Sequence, residues 1–433
     1  MDACSEFKGK RITVVGLGLL GRGVGDTRYL ASCGADLVVT DLKTEEDLHD
    51  SLTQLSEFPN IEYSLGEHRL EDFQDRDLII NGPAVPLNSP YIQAARDAGI
   101  RVTMSTALFA RIAREAGATI VGITGTRGKT TVTEMIAHVL TIAGKNALVG
   151  GNIRGVSTLA LLPQVQEDTI AVLELDSWQL QGFRDEGISP QVAVFTTFYP
   201  DHLNYYKTME PYLADKAAIF LNQGPEDVLV LGKQAEPIVR AAYDGSIKGH
   251  IVVPEELPET SIPGQHNREN AAAALEAVRA LGVPDSVSLP ALASFKGVAG
   301  RLELVREVKG VKFYNDTNAT TPEATLAALR ALGPRTLLIM GGADKGLSLD
   351  MLAVELPSLV KDIFFLEGTG TDRMRSFVPN ALSYGSVEEA VREAYAAAEE
   401  GDSVLLSPAF ASFGMFKNEY ERGDAFNAAV AAL

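Results

Sequence analysis

Residues 119–131 read TIVGITGTRGKTT, an apolar run followed by a loop with two glycines and a lysine. Gly125 and Gly128 allow the backbone to turn sharply and to direct its N–H groups at phosphate oxygens. Lys129 can reach the terminal phosphates, and the hydroxyl of Thr130 can bind magnesium. The apolar positions that follow recur at helical spacing, so a helix N-terminus faces the anion. The stretch therefore predicts a strand, a loop and a helix that hold a nucleoside triphosphate.

The loop departs by one position from the strict phosphate-loop pattern, which has four residues between its first glycine and the Gly-Lys pair. Ile123 occupies the position of that glycine, and Gly122 lies one residue too early. The shorter form GTRGKTT keeps the turn glycines, the lysine and the hydroxyl groups of Thr126, Thr130 and Thr131. A lysine at an ordinary strand-to-helix turn is the alternative interpretation.

The composition limits the class of protein and the partners it can bind. With 433 residues, of which 46% are hydrophobic, the chain is long enough for about three globular domains, and disordered and collagen-like classes are excluded. Lys and Arg total 38 against 57 Asp and Glu, which gives a formal charge of −19. This charge opposes binding to nucleic acid or to an anionic membrane surface, so we expect any phosphate site to be local.

The N-terminal residues contain no apolar run of signal-peptide length, and no other stretch approaches the length needed to cross a bilayer. We therefore expect a cytoplasmic protein without membrane insertion. Cys4 and Cys33 show neither metal-ligand spacing nor a disulfide framework, which is typical of a reducing compartment. We expect neither cysteine to have a chemical role.

Residues 1–103 are predicted to form a Rossmann-like α/β domain. A buried strand at 11–15 runs into the sequence GLGLLG at 16–21 and a helix, and a second strand ends at Asp41. Glycines followed by an acidic residue about twenty positions later are typical of a dinucleotide-binding turn. The helix N-terminus would hold a diphosphate, Asp41 would take a sugar or base group, and Lys43 adds a local cation. A tight turn without a ligand is the alternative.

Residues 104–300 are predicted to form a central ATP-binding α/β domain, in which strands alternate with helices around a mostly parallel sheet. Chemistry in such sheets collects at the carboxyl ends of the strands, and Glu174, His202 and Asn152 all follow predicted strands. A carboxylate that closes an apolar strand is costly to bury without a cation, so Glu174 with Thr130 indicates a magnesium site. His202 alone would be interpreted as an ordinary loop histidine.

Residues 301–433 are predicted to form a second doubly wound, Rossmann-like α/β domain. Its predicted strands include 336–340, 363–366 and 403–406, which alternate with helices. One helix has Thr321 as its predicted N-cap and Pro322 at its first position. The loops 341–345 and 407–413 both follow strand ends, where α/β sheets bind ligands.

Together these features resemble the Mur ligases, a family of three-domain enzymes that use ATP to build the peptidoglycan stem peptide. The resemblance covers the whole chain, and chance does not account for so many motifs in one order. The motifs are ELDSWQL at 174–180, DHL at 201–203, GQHNREN at 264–270, GRLE at 300–303, ND at 315–316, SPA at 407–409, FKN at 416–418 and RG at 422–423. The resemblance is closest to the ligases that join glutamate to UDP-N-acetylmuramoyl-L-alanine.

The resemblance implies roles for individual positions in substrate binding. ATP would be bound by Gly125, Thr126, Gly128, Lys129, Thr130, Thr131, Asn270, Arg301 and Asp316. The UDP-substrate would contact Gly18, Leu19, Asp41, Lys43 and Asn152. Glutamate would contact Thr320, Lys345 and Ser412. The enzyme is expected to be a monomer.

The resemblance also implies a catalytic set of Lys129, Glu174, His202 and Lys216 around two magnesium ions. Thr130 and Glu174 would hold the first ion, and His202 the second. Lys216 matches a family lysine that is carbamylated, because a lysine with a lowered pKa reacts with carbon dioxide and becomes an anionic ligand at the metal site. By itself, Lys216 is interpreted instead as a lysine on a solvated face, or a snorkelling lysine, of a helix whose other face is apolar.

The implied reaction begins when the alanine carboxylate of UDP-N-acetylmuramoyl-L-alanine is activated as an acyl phosphate. The amine of glutamate then attacks through a tetrahedral intermediate, while Lys129 and the magnesium ions offset charge on the transferred phosphoryl group. A dicarboxylate entering a protein of charge −19 needs local donors, a role that falls to Lys345, Thr320 and Ser412. D-glutamate is favoured on resemblance, and L-glutamate stays open.

Several positions depart from the family pattern. The usual Ser-Pro-Gly-x-Pro loop of the first domain reads NGPAVP at 81–86, Asn318 stands where relatives often have lysine, Gly414 replaces aspartate, and Glu419-Tyr420 alters an aromatic position. We expect a weaker hold on glutamate than in close relatives. Three alternatives stay open: another amino-acid-adding Mur ligase, a nicotinamide-dependent oxidoreductase based on the first-domain turn, and a non-catalytic ATP-binding module.

Overall fold

The computed structural model describes residues 3–19, 21–83, 85–153, 155–379 and 381–433. These residues form three β-sheets with helices between the strands, so the predicted α/β class is confirmed. The chain divides into two compact units, Met1–Leu257 with Asn270–Ala291 and Pro258–Glu269 with Leu292–Leu433. The first unit contains two of the sheets and the second unit contains one. The boundaries at residues 103 and 300 stay predictions.

The first sheet is built from the N-terminal part of the chain. Its strands are β1 (Arg11–Val15), β2 (Asp36–Asp41), β3 (Glu62–Leu65), β4 (Leu78–Asn81) and β5 (Arg101–Thr103), and its helices are α1 (Arg22–Ser32), α2 (His49–Thr53) and α3 (Pro90–Asp97). All pairs are parallel in the order β3-β2-β1-β4-β5. The turn after β1 thus lies where the strand order reverses, which is where such sheets bind ligands. Leu20 in this turn, and Ala84 in the NGPAVP loop, lie outside the described residues.

The second sheet carries the predicted phosphate loop. The elements along the chain are α4 (Ser105–Glu115), β6 (Thr119–Thr124), α5 (Lys129–Ile142), β7 (Ala147–Gly151), β8 (Ile170–Glu174), α6 (Ser177–Glu186), β9 (Val192–Phe195), α7 (Leu203–Tyr206), α8 (Met209–Ala217), β10 (Val228–Leu231), α9 (Glu236–Tyr243), β11 (His250–Val252), α10 (Gln265–Ala280) and α11 (Asp285–Ser294). The sheet is parallel in the order β11-β10-β9-β6-β8-β7. The carboxyl ends of β9, β6 and β8 therefore lie side by side.

The third sheet lies in the second unit. Its elements are β12 (Glu303–Val308), β13 (Val311–Asn315), α12 (Pro322–Leu332), β14 (Thr336–Gly341), α13 (Asp350–Leu359), β15 (Asp362–Leu366), α14 (Thr369–Met374), β16 (Leu382–Tyr384), α15 (Val387–Ala397), β17 (Ser403–Leu406) and α16 (Glu419–Ala431). The order is β12-β13-β17-β14-β15-β16, with only the β12–β13 pair antiparallel among the described strands. The predicted N-cap Thr321 and first-turn Pro322 of α12 are confirmed.

The first two sheets share one hydrophobic core, which explains why they form a single unit. The core runs from Leu30 on α1 through Phe109 on α4 to Phe195 on β9, and all three side chains are fully buried. An ion pair between Arg101 and Glu186, with an N–O distance of 2.7 Å, adds a polar contact between the two sheet regions. Burial of apolar surface is the larger stabilising contribution, because a half-exposed ion pair adds at most about 1 kcal/mol.

Two observations bear on the expectations about the cellular compartment. Cys4 and Cys33 form a disulfide with a Cα–Cα distance of 4.8 Å, so the expectation of two cysteines without a chemical role was wrong. The chain brings together the short turn Ala3–Glu6 and the end of α1, a contact that the sequence separation of 29 does not reveal. The cysteine content therefore no longer supports a reducing compartment. In the described part of the chain, no helix combines the length and apolar character needed to span a membrane.

A buried carboxylate joins the amino ends of three neighbouring strands of the third sheet. Asp402 precedes β17 and is 1% exposed. It accepts hydrogen bonds from Arg335 before β14 at 2.8 Å, from Lys361 before β15 at 2.7 Å, and from the backbone N–H of Glu399 at 2.8 Å. Burial raises the pKa of Asp402, but the hydrogen bonds from these donors outweigh burial and lower the pKa to about 2.

We expect Asp402→Asn to lower the free energy of unfolding by about 2 kcal/mol at pH 7, because hydrogen bonds to a charged group are lost. Since the folded pKa is lowered, this stabilisation is present above the unfolded pKa of about 3.9 and is lost as the pH falls toward 2. Urea unfolding followed by circular dichroism should therefore show a difference from wild type that shrinks in acid. Glu399→Gln, which removes an exposed partner of Lys361, is the control. A difference that does not vary with pH would contradict the assignment.

Candidate active site

The loop between β6 and α5 is shaped by two glycines with positive φ angles. Gly125 has a φ of 137° and Gly128 a φ of 87°. A Cβ atom on Gly125 would lie 2.0 Å from Oγ1 of Thr196, so a larger residue does not fit there. The backbone N–H of Thr126 donates to the carbonyl of Thr197 at 2.7 Å, which fixes the loop against the chain after β9. The loop thus stands ready at the N-terminus of α5, where N–H groups and the helix dipole favour an anion.

Two lysine side chains converge on the carbonyl oxygen of Gly125. Nζ of Lys129 donates to this oxygen at 3.1 Å and to the carbonyl of Thr126 at 3.2 Å. Nζ of Lys216 donates to the same Gly125 oxygen at 2.9 Å. Two amines on one carbonyl repel each other when both carry a charge. The arrangement therefore favours either an anion nearby or the loss of one charge.

Lys216 is buried, so its interpretation as a lysine on a solvated helix face was wrong. It is 1% exposed, and its Nζ also contacts Oγ1 of Thr124 at 3.3 Å and lies 4.9 Å from the ring centroid of Tyr212. Burial, followed by the charge of Lys129, lowers the pKa of Lys216 well below its ordinary value. The helix periodicity gave the wrong exposure because the end of β6 and the start of the phosphate loop, residues 124–125, contact this lysine. The neutral form of the amine is thereby favoured.

Glu174 closes β8 with a buried carboxylate that has one unsatisfied oxygen. The residue is 3% exposed, and its Oε1 accepts a hydrogen bond from Nδ2 of Asn152 at 3.3 Å. Its Oε2 has no hydrogen-bond partner among the described residues. The structure thus brings together two residues that the sequence analysis singled out separately. Within the described ranges, no group of three or more His, Cys, Asp and Glu side chains is arranged to hold a metal ion by itself.

His202 has a strained backbone and an aromatic surrounding. Its φ is 54°, an angle that non-glycine residues rarely adopt, and strain of this kind is common at functional sites. Its ring lies 4.6 Å from that of Trp178 and 6.0 Å from that of Tyr212, measured between centroids. Burial lowers the pKa of His202, the charge of Asp201 raises it, and the two lysines of the site lower it further. A neutral imidazole results, which is the form that binds metal ions.

The sequence analysis missed Asp215, the neighbour of Lys216 in the chain, and the side chains that bind its carboxylate. Asp215 is 6% exposed and accepts hydrogen bonds from Gln181 at 2.6 Å, from Arg184 at 2.7 Å and from the hydroxyl of Tyr206 at 3.0 Å. These contacts anchor α8 to α6. For the aromatic contact of Lys216, one sequence signal was available. Tyr212 stands four residues before Lys216, a spacing that places the two side chains on the same helix face.

In the first sheet, Asp41 holds the glycine-rich turn through both of its carboxylate oxygens. Oδ2 accepts from the backbone N–H of Gly18 at 2.9 Å, and Oδ1 accepts from the backbone N–H of Lys43 at 2.9 Å. Asp41 is 5% exposed, whereas Leu19 is 60% exposed. The arrangement gives Asp41 a part in shaping the turn, and its contact with a UDP-substrate stays a prediction.

In the second unit, the predicted glutamate-binding residues lie on loops at the carboxyl ends of strands. Nζ of Lys345 donates to Oγ1 of Thr320 at 2.9 Å. Ser412 is 4% exposed. Arg422, a motif residue that the site prediction left out, is 1% exposed and donates to backbone carbonyls in the loops that carry Thr320 and Ser412, at 2.9 and 3.3 Å. Burial lowers the pKa of Arg422 to about 10. Its guanidinium fixes these two loops relative to each other.

The remaining predicted nucleotide-binding residues lie in both units. In the first unit, a Cβ atom on Gly128 would lie 2.4 Å from Oδ1 of Asn270, so this amide packs against the phosphate loop. In the second unit, Asp316 accepts hydrogen bonds from the backbone N–H of Leu302 at 3.0 Å and from a serine hydroxyl at 2.9 Å. Burial raises the pKa of Asp316 to about 7, although these hydrogen bonds and the charge of Arg301 lower it.

Three family models match successive parts of the chain. The model of the Mur ligase MurD-like N-terminal domain matches residues 10–104, the model of the Mur ligase middle domain matches residues 123–248, and the model of the Mur ligase glutamate ligase domain matches residues 300–410. The middle-domain match includes the phosphate loop, Glu174, His202 and Lys216. The glutamate ligase domain match includes Thr320 and Lys345.

Whole-chain comparisons agree with these matches. The UDP-N-acetylmuramoylalanine--D-glutamate ligase of Roseiflexus sp. (strain RS-1) is 39% identical, over 98% of this chain and 99% of the relative. The ligase of the same name from Caldanaerobacter subterraneus subsp. tengcongensis is 35% identical over 99% of both chains. The fold is similar to that of the UDP-N-acetylmuramate-alanine ligase MurC from Thermotoga maritima, with a TM-score of 0.62, 20% identity and coverage of 98% and 99% of the two chains. The chain therefore belongs to the Mur ligase family.

Proposed function

We propose that this protein is an ATP-dependent ligase that joins D-glutamate to UDP-N-acetylmuramoyl-L-alanine in the synthesis of peptidoglycan precursors. The observation that carries the proposal is the 39% identity, over nearly the full length of both chains, to a UDP-N-acetylmuramoylalanine--D-glutamate ligase. The preformed phosphate loop with two convergent lysines supports the use of ATP. A nicotinamide-dependent oxidoreductase would use neither the loop nor the lysines.

In the first step, the alanine carboxylate of the UDP-substrate attacks the terminal phosphorus of ATP, which yields an acyl phosphate and ADP. The amine of glutamate then attacks the acyl carbon and loses a proton, and the tetrahedral intermediate releases inorganic phosphate to leave the amide. Lys129 and the loop N–H groups bind the phosphates and stabilise the charge on the transferred phosphoryl group. The loop residues in this role are Gly125, Thr126, Gly128, Thr130 and Thr131.

The donor groups around the phosphate loop fit magnesium. Glu174 offers a buried carboxylate oxygen that has no partner in the described part of the chain. Thr130 offers a hydroxyl at the start of α5, and His202 offers a neutral imidazole. The oxygen donors of Glu174 and Thr130 suit magnesium, which would supply Lewis-acid stabilisation of phosphate charge when it is bound. We assign Thr130 and Glu174 to a first ion, and His202 with a carbamylated Lys216 to a second.

The surroundings of Lys216 support its carbamylation. The reaction joins the neutral amine to carbon dioxide and releases a proton, and burial of Lys216 favours the neutral amine. A carbamate would also place an anion next to Lys129, so the two groups at Gly125 would attract each other. The buried contacts of Asp215 would hold α8 in place while the group forms.

The substrates are assigned to the remaining residues in the following way. The nucleotide contacts Asn270, Arg301 and Asp316, and the UDP-substrate contacts Gly18, Leu19, Asp41, Lys43 and Asn152. Glutamate contacts Thr320, Lys345 and Ser412, and the buried cation of Arg422 supports these loops. Asn318 supplies no charge where relatives often have lysine. Binding of glutamate therefore depends more on Lys345 than it does in those relatives. The monomeric state and the cytoplasmic location expected from the sequence stay predictions.

A panel of acceptors tests the proposed function. With UDP-N-acetylmuramoyl-L-alanine and ATP, we expect phosphate release to depend on D-glutamate and to be far weaker with L-glutamate, aspartate, alanine or lysine. The reason is that a dicarboxylate matches the lysine and the hydroxyls at the proposed acceptor loops. Release with alanine or lysine, and none with either glutamate, would assign the protein to another reaction of the family.

Lys129→Ala should lower kcat by about 10²–10³-fold or more, because a charge that stabilises the transferred phosphoryl group is lost. Circular dichroism should be unchanged, since Lys129 donates to two carbonyls of its own loop and lies outside the apolar core. Lys145→Ala is the matched control. Lys145 is exposed and precedes β7, at the amino ends of the strands, whereas Lys129 lies at their carboxyl ends. Retention of most activity in a folded Lys129→Ala variant would remove this lysine from the proposed mechanism.

Lys216→Ala should lose activity that short carboxylic acids partly restore, because a small carboxylate can occupy the place of the carbamate. Wild-type protein in ¹³C-bicarbonate should show a carbamate resonance that is absent from the variant. Lys233→Ala, which removes an exposed lysine, should keep both the activity and the resonance. Full activity of Lys216→Ala, or the same carbon resonance in that variant, would contradict carbamylation at this position.

A further inference from the structure

Helix α1 of the first sheet region packs against the loop that follows β7 in the second. The glycine-rich turn with Gly18 leads directly into α1. The loop, residues 152–158, begins with Asn152 and leads into the short helical turn Leu159–Gln164, which contacts α1. The contact thus connects the two parts of the chain that are assigned to the UDP-substrate, the turn after β1 and Asn152.

A buried carboxylate on α1 binds this loop. Asp26 is buried, and its Oδ1 accepts a hydrogen bond from Oγ of Ser157 at 2.6 Å. The same Oγ accepts from the backbone N–H of Ala160 at 3.1 Å, so the serine is itself held in place. Burial raises the pKa of Asp26, whereas hydrogen bonds from Ser157 and Ser105 lower it. Because a buried carboxylate is costly without its partners, the hydrogen bond keeps the loop from moving away from α1.

Two glycines of α1 let the loop come close to the helix. A Cβ atom on Gly25 would lie 2.4 Å from Cβ of Ser157, so a larger residue fits there only if the loop shifts. A Cβ atom on Gly21, the N-cap of α1, would lie 3.6 Å from Cα of Gly155. Close packing therefore prevents the loop from moving toward α1, and the hydrogen bond of Asp26 prevents it from moving away.

The other end of the loop is fixed to Glu174. The backbone N–H of Asn152 donates to the carbonyl of Glu174 at 2.7 Å, and Nδ2 of Asn152 donates to Oε1 of Glu174 at 3.3 Å. The backbone N–H of Gly151 donates to Oγ1 of Thr158 at 2.8 Å, which joins the two ends of the loop. Since Thr158 adjoins Ser157 in the chain, a displacement of Ser157 would also displace Asn152.

We propose that Asp26 and Ser157 are positioning residues for the UDP-substrate, which fix the distance between the glycine-rich turn and Asn152. The inference rests on the proposed function, because that function assigns one substrate to both places. A substrate that spans the turn and Asn152 binds well only when their separation matches its length. Asp26 and Ser157 therefore act through the turn and through Asn152, without contact with the substrate.

Binding of two ligands, measured by isothermal titration calorimetry without ATP and glutamate, tests the inference. UDP-N-acetylmuramoyl-L-alanine spans both places, whereas UDP reaches only the turn. Ser157→Ala, which removes the donor to Asp26, should weaken binding of the full substrate about tenfold. Binding of UDP should be unchanged, because Asp41 holds the turn independently of the loop. A general loss of stability would not separate the two ligands in this way.

Gly25→Ala is a second variant, which keeps every polar group. Its added methyl group should displace Ser157 and weaken binding of the full substrate, again without an effect on UDP. Alanine favours a helix more than glycine does, so α1 itself is not destabilised. Ser189→Ala is the matched control, because it removes a buried hydroxyl that donates to the carbonyl of Ala218 at 2.7 Å, before the amino end of β9. It should leave both affinities unchanged.

Two further comparisons separate positioning from a structural role. Asp26→Asn, whose amide oxygen can still accept from Ser157, should lose less affinity for the full substrate than Asp26→Ala. In an Asn152→Ala background, Ser157→Ala should cause little further loss, because both changes act on the same contact with the substrate. Circular dichroism checks that each variant folds.

Unchanged binding of the full substrate in folded Ser157→Ala and Gly25→Ala variants would overturn the inference and leave the proposed function intact. Equal losses for UDP and the full substrate would also overturn it, as would losses that simply add to that of Asn152→Ala. Wild-type protein that does not bind UDP-N-acetylmuramoyl-L-alanine would overturn the proposed function, and the positioning role with it.

Discussion

The hydrogen bonds that Lys129 and Lys216 both donate to the carbonyl of Gly125 join the phosphate loop to α8 and fix the two amines of the candidate active site. This carbonyl is available because Gly125 adopts a φ of 137° against Thr196, a position that admits no side chain. The loop conformation therefore sets the place of the first lysine, and the fold of α8 sets the place of the second. A change in the loop would move both amines at once.

Uncompensated charge is the second property of the site. The structure buries the carboxylate of Glu174 and the amine of Lys216 at the carboxyl ends of parallel strands, yet neither group forms a direct ion pair among the described residues. Asp215, by contrast, is buried with three hydrogen-bond donors around its carboxylate. Groups left unsatisfied at a strand edge are favoured by selection for ligand binding rather than for stability, since each one costs free energy in the folded state.

In the third sheet, stabilising contacts lie at the amino ends of the strands and the proposed binding loops lie at the carboxyl ends. Asp402 joins the amino ends of β17, β14 and β15 through Arg335 and Lys361. The loops with Thr320, Lys345 and Ser412 lie at the carboxyl ends, where Arg422 fixes their backbone. Parallel sheets carry loops of variable sequence at the carboxyl ends of their strands. This division therefore allows the sequence of the acceptor loops to vary while contacts at the amino ends stabilise the sheet.

The sequence by itself determined the α/β class, the phosphate loop, the order of the motifs and the family, because these depend on local spacing and on residue types that chemistry requires. It also identified Glu174, His202 and Asn152 from their positions after strands. Only the tertiary structure decided that Lys216 is buried, that Asp41 is committed to its own turn, and that Cys4 meets Cys33. Burial and pairing arise from contacts between residues far apart in the chain. Helix or strand periodicity does not indicate which other element will pack against a given face of that helix or strand.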